Sequence, residues 1–134
     1  MTRFRAAAAV FLAAVAPLHA AGLAPDLETL RWTARPLVVF ADGPDDPRFV
    51  QQMTRLEADP VALDDRLVVV LVDTEPASNS ALRQRLRPRG FSVVLIDIDG
   101  QVVQRRDVPV TVREIANTID RLPSRRQETG SRRP

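Results

Sequence analysis

The chain has no cysteine, no lysine and no tyrosine, and its one histidine is His19. Without a thiol there is no thiolate nucleophile and no dithiol couple, so thioredoxin- or peroxiredoxin-type redox chemistry is excluded. A zinc centre would find almost no nitrogen or sulfur ligands. A serine nucleophile needs a neighbouring base, and apart from His19 only a carboxylate could serve. Acid/base work by an Asp pair has no supporting spacing, so the residue inventory points away from an enzyme, and no cofactor is expected. Aromatics are scarce, at five Phe and one Trp. All 19 basic residues are arginines, set against 17 acids. The high isoelectric point follows from the missing Lys, Tyr and Cys, because little titrates between the carboxylates and Arg. It is therefore no nucleic-acid signature, and no nucleic-acid partner is expected.

The N-terminus has the layout of a secretory signal peptide. Arg3 and Arg5 precede an apolar run from Ala6 to Leu18, and small residues follow at Ala20, Ala21 and Gly22. The run is too short to span a bilayer comfortably. Residues 1–20 are read as the signal peptide, and a periplasmic or secreted location with no membrane span after cleavage is expected. The alternative is a retained anchor. Cleavage would remove His19, Arg3 and Arg5, leaving 17 arginines against 17 acids.

The rest of the 134 residues suits one domain. Trp32 reads as a core anchor just before the first strand. Pro36 to Ala41 is a continuous apolar run, the mark of a strand covered on both faces. The turn-rich loop Asp42 to Pro47 leads into a helix, with Asp46 as its cap and Pro47 at its first position. Phe49, Val50, Met53 and Leu56 form one face of that helix. Leu67 to Val72 is a second apolar strand. Ser80 caps a short helix carrying Leu82 and Leu86, which Pro88 and Gly90 stop. Phe91 to Asp97 is a third strand, Asp99-Gly100 a hairpin signal, and Gln101 to Arg106 an edge strand. Thr111 and Glu114 fit a capping box, and Val110 with Ile115 a hydrophobic staple. Val112, Ile115, Ile119 and Leu122 make the last apolar stripe. Pro123 ends that helix, and residues 124–134 read as an Arg-rich, disordered tail. The domain is thus 21–123, in the order β-α-β-α-β-β-α. This is an α/β fold: a four-stranded mixed sheet flanked by helices, with a right-handed parallel crossover.

The stretch from Arg89 to Gly100 resembles the thioredoxin pattern of Arg-Gly-apolar-Pro-Thr, hydrophobic strand and turn. Ser92 stands where that family has its cis-proline, and the Asp42–Pro47 loop where it has Cys-x-x-Cys. A wider resemblance runs through Trp32, Arg35 to Ala41, Gly90 to Ile96 and Ile119 to Glu128. It is to a bacterial family numbered 4174 among the domains of unknown function, thioredoxin-like and lacking Cys-x-x-Cys. Leu122 and Ser124 replace two methionines of that family's pattern, and Asp97-Ile98-Asp99-Gly100 replaces its Gly-Lys-Asp-Gly. The resemblance implies an exported thioredoxin-like domain and no established activity.

Four constellations stand out. Asp42, Asp45 and Asp46, with Ser92, form a candidate binding face. The loop reads first as turn and capping chemistry, and its spacing does not match an EF-hand. Asp97 and Asp99 read as a hairpin. Arg83, Arg85, Arg87 and Arg89 read as a solvated helix face, since an anion site would need several forks converging. Arg125, Arg126, Gln127 and Glu128 are candidate tail contacts, in a basic tail that also carries Arg132 and Arg133 and reads first as solvating. The leading expectation is a redox-inert binding or interaction module with an unknown protein or envelope partner. The alternatives are a carboxylate-dependent enzyme or weak Ca²⁺ site at the Asp42–Asp46 loop, and anchoring to envelope anions through the Arg tail.

Overall fold

The computed structural model of the chain describes residues 26–131. The expected signal peptide and Arg132–Arg133 lie outside the described residues. Short helix α1 (Leu27–Leu30) precedes strand β1 (Arg35–Phe40). Helices α2 (Pro47–Leu56) and α3 (Pro60–Asp64) follow, then β2 (Val68–Asp73) and α4 (Ala81–Leu86). Strands β3 (Ser92–Ile96) and β4 (Val102–Arg106) form the hairpin, and α5 (Val112–Asp120) and α6 (Pro123–Gly130) close the chain.

The sheet order is β2-β1-β3-β4, with β1 parallel to β2 and antiparallel to β3. The mixed sheet and its flanking helices are as expected. The apolar runs have the physical cause proposed for them, because both faces are covered. Leu37, Val39, Val93 and Leu95 pack with Leu56 of α2, Leu63 of α3 and Ile115 and Ile119 of α5. Val38, Phe40, Val94 and Ile96 pack with Leu27 of α1 and Leu86 of α4 on the other face. Strand β4 is the exposed edge. Its pairing to β3 is irregular between Leu95 and Ile96, a device that blunts edge-to-edge association.

The caps are local and sequence-driven. Asp46, Asp59, Ser80 and Thr111 each accept a backbone N–H at the start of a helix, and Thr111 with Glu114 completes the capping box. Deeper in, the fully buried Gln52 donates to the Val110 carbonyl at 2.9 Å and accepts from the Val110 N–H at 2.8 Å. That amide pair ties α2 to the segment entering α5.

Several expectations need correction. Val50, expected on the apolar face of α2 with Phe49, Met53 and Leu56, is 52% exposed, while those three pack against the core. Trp32 is no core anchor: it has a φ of 68°, is 66% exposed and lies beside the Arg31 guanidinium, 5.3 Å from its ring centre. The left-handed backbone turns it away from the core. The stretch from Ser124 to Gly130 is also not a disordered tail. It forms α6, held by ion pairs rather than by an apolar stripe.

Candidate functional site

Two ends of the sheet collect the polar residues. The first lies beyond the end of β1 and the start of β3. Asp42 and Asp45 are exposed there, and Asp46 is half-buried. Asp46 caps α2 by accepting from the Arg48 N–H at 2.9 Å, and it pairs with the Arg48 guanidinium at 3.1 Å. These contacts with Arg48 hold its pKa below the ordinary carboxylate value. The Arg48 guanidinium also lies over the Phe91 ring, 5.4 Å from its centre. Gly90, at a φ of 58°, lies beside the Asp42 carboxylate, where a Cβ would make an ordinary contact of 3.9 Å with Oδ2. Asp45 makes no side-chain hydrogen bond or ion pair among the described residues. The acidic loop therefore shares this end with Ser92, but its carboxylates do not converge. Among the described residues, no group of three or more acidic or histidine side chains is placed to hold a metal.

The same end carries an arrangement that the sequence reading missed. Arg87, Arg89, Arg105 and Arg106 line an open groove of about 740 Å³, together with Phe91 and Ser92. Arg87 and Arg89 follow α4, while Arg105 and Arg106 end β4. The register sets Arg106 against Val93 and Arg105 against Val94, so β4 ends beside the start of β3. Strand alternation sends Arg105 and Arg106 to opposite faces, and the groove straddles the end of the ladder. The Arg105 Nη2 donates to the Leu86 carbonyl at 2.8 Å. Arg83, expected on a solvated face, instead turns inward. It donates to the Asp73 carboxylate at 2.9 Å and to the Ala41 carbonyl at 2.9 Å. Burial pushes Asp73 up, but the Ser80 hydroxyl and the Arg83 guanidinium outweigh it, so its pKa falls below the usual value.

The opposite end is a buried polar network around Arg35, which is 0% exposed. Its Nε donates to Asp97 at 2.9 Å, its Nη2 to Glu128 at 2.7 Å and to Ser124 at 3.0 Å, and its Nη1 to the Arg66 carbonyl at 3.0 Å. The Ser124 hydroxyl lies 2.9 and 3.0 Å from the two Asp97 carboxylate oxygens, within reach to donate to either. Asp97 is thus a buried ion-pair partner as well as a hairpin residue. Arg125 donates to the Asp65 carbonyl at 3.0 Å and to Glu128 at 3.2 Å. Of the four tail candidates, Arg125 and Glu128 are engaged in this packing, and Arg126 and Gln127 are exposed. Burial raises the Glu128 pKa, but hydrogen bonds from Arg35 and Arg125 more than offset it and leave the carboxyl below its ordinary range. Five residue steps separate Ser92 from Asp97, which sets the two ends about 17 Å apart along β3.

The family model described as domain of unknown function (DUF4174) matches residues 26–128. The chain belongs to this family. The DUF4174 match ends on Glu128, the residue that closes the Arg35 network. No curated protein matches the chain. Among solved structures, it is similar to the reduced 2-Cys peroxiredoxin of Plasmodium vivax, with a TM-score of 0.59 and 15% identity over 77% of this chain and 84% of the other. It is also similar to Plasmodium yoelii Prx1a modified at its N-terminus, with a TM-score of 0.56 and 17% identity over 81% and 83% of the two chains. At these identities the likeness shows the fold alone, and the DUF4174 domain is accordingly thioredoxin-like. No helix among the described residues is long and apolar enough to cross a membrane.

Proposed function

We propose that this DUF4174 protein is an exported, redox-inert binding module. Its ligand face is the end of the sheet where the thioredoxin pattern has its dithiol and cis-proline. The observation that carries the reading is the combination at that end of an open, arginine-lined groove with a chain that has no cysteine. A thiolate is indispensable to dithiol exchange, so a ligand held here must be bound rather than reduced. Export rests on the signal-like composition of residues 1–20. The Arg35 network at the far end has a structural role in this reading, because its charges face one another and not solvent.

Two measurements test the proposal. Insulin-disulfide reduction should show no turnover above the uncatalysed rate, and measurable turnover would refute inertness. Amide NMR spectra recorded against a library of small fragments, uncharged ones included, should show shifts concentrated at residues 87–92 and 105–107. Shifts centred elsewhere, or none from any fragment, would overturn the binding assignment.

A further inference from the structure

We infer that the groove between the ends of α4 and β4 binds a phosphoryl group. This rests on the reading of that end as a ligand face and names the ligand's chemistry. Arg31, Arg35, Arg48, Arg66, Arg83, Arg85 and Arg125 each lie within ion-pair distance of a carboxylate among the described residues, whereas Arg55, Arg113, Arg121 and Arg126, none of which lines the groove, do not. Arg87, Arg89, Arg105 and Arg106 have no such partner among the described residues. They are gathered around one groove, with Asp107 the single carboxylate in its lining and Asp42 nearby, next to Gly90. Like charges assembled without counter-charge repel, and a bound anion removes that repulsion. Arg105 is positioned by its bond to the Leu86 carbonyl and keeps its other N–H donors free. Arg87 holds its place with a φ of 48°, a left-handed backbone that non-glycine residues adopt only at a cost.

A second observation is independent of charge. Ser92 is only 5% exposed, yet its hydroxyl has no hydrogen-bond partner among the described residues, and it lines the groove. The Arg125 Nε, not this hydroxyl, is the buried side-chain polar atom left without a partner among the described residues, so the Ser92 oxygen is open to the groove and can donate to an anion there. A carboxylate offers two oxygens in one plane and suits a single guanidinium fork. A phosphoryl group carries up to two charges and three outward oxygens, which suits several guanidinium groups placed around it. The groove is much larger than one phosphate, within the size range of small-molecule sites, so a phosphate ester and free phosphate share the chemistry it recognises.

The test is isothermal titration of the full chain with inorganic phosphate and, separately, with glycerol 1-phosphate, at matched ionic strength with acetate as control anion. Saturable one-site binding of phosphoryl probes but not acetate is expected. R89Q and R106Q should each weaken it about tenfold, the scale of a charge-assisted hydrogen bond lost at a partly exposed site. S92A should weaken it severalfold. R113Q and R126Q, which remove exposed arginines away from the groove, should leave it within about twofold. Tighter binding of the ester assigns the groove to phosphate esters, and equal or weaker binding assigns it to free phosphate. Absence of saturable binding with both probes, or equal weakening by R113Q, overturns the phosphoryl assignment. The module reading survives that result unless fragments also leave the signals of 87–92 and 105–107 unmoved.

Discussion

Glu128→Ala removes the carboxylate that fixes the last helix to the centre of the sheet. In the folded chain both Glu128 oxygens face Arg35, at 2.7 and 3.3 Å. The Arg35 side chain has no solvent exposure and that of Glu128 has 21%. Stripping every partner from a buried charge costs about 3–5 kcal/mol. Arg35 keeps Asp97, Ser124 and the Arg66 carbonyl, which lowers the cost. Water can also reach the partly open Glu128 position. One charged hydrogen bond contributes about 1.5–3 kcal/mol, so the expected destabilisation is about 2–3 kcal/mol. Alanine adds no helix penalty to offset, since it is the best helix former. For a domain of this size each kcal/mol moves the midpoint by about 4–8 °C, giving a loss of about 10–20 °C. Urea unfolding of wild type and E128A measures it, with R126A as the exposed control, for which a change within about 0.5 kcal/mol is expected. If E128A and R126A unfold at the same midpoint, the network does not hold α6 and the argument fails.

Other predictions follow from the same geometry. Gln52→Leu keeps the apolar volume but leaves the buried Val110 N–H and carbonyl without their amide partner. At about 1–3 kcal/mol per unsatisfied group, calorimetry should show a loss of at least 2 kcal/mol, and an unchanged midpoint would refute the clamp. Glu128, Asp120 and Asp73 all have pKa values held below normal in the fold. Their contribution is complete above the ordinary carboxylate pKa of about 4 and is lost as pH falls through the lowered folded values. Thermal midpoints should fall in that acid range, and less steeply in E128A; parallel curves would contradict the assignment. Arg87→Gly relieves the left-handed backbone at φ 48°. It should raise stability by about 0.5–1 kcal/mol while weakening phosphate binding, and a destabilised variant would show that this backbone is not under strain.

The strands were legible because a sheet covered on both faces demands uninterrupted apolar runs, and Pro36–Ala41, Leu67–Val72 and Phe91–Asp97 supply them. The capping box at Thr111 and the hairpin at Asp99-Gly100 were legible because each is a local hydrogen-bond pattern. Helix α6 was not, since it docks through Glu128 and Ser124 instead of an apolar stripe, and periodicity is blind to such contacts. A signal was available: Arg35 opens a strand that is otherwise buried, and a buried guanidinium must have a carboxylate partner somewhere. The groove escaped for a different reason. Arg87 and Arg89 meet Arg105 and Arg106 only through the β3–β4 pairing, and each pair alone reads as solvated surface. Trp32 was misplaced because its left-handed backbone, which hydrophobicity does not encode, turns it outward.

On the proposed function, the face used for sulfur chemistry in the thioredoxin pattern binds a ligand here. Amide NMR mapping of fragment binding tests this most directly. Shifts concentrated at residues 87–92 and 105–107 are expected. Shifts concentrated instead around Arg35, Asp97 and Glu128, or absent for every fragment, would contradict the proposed function.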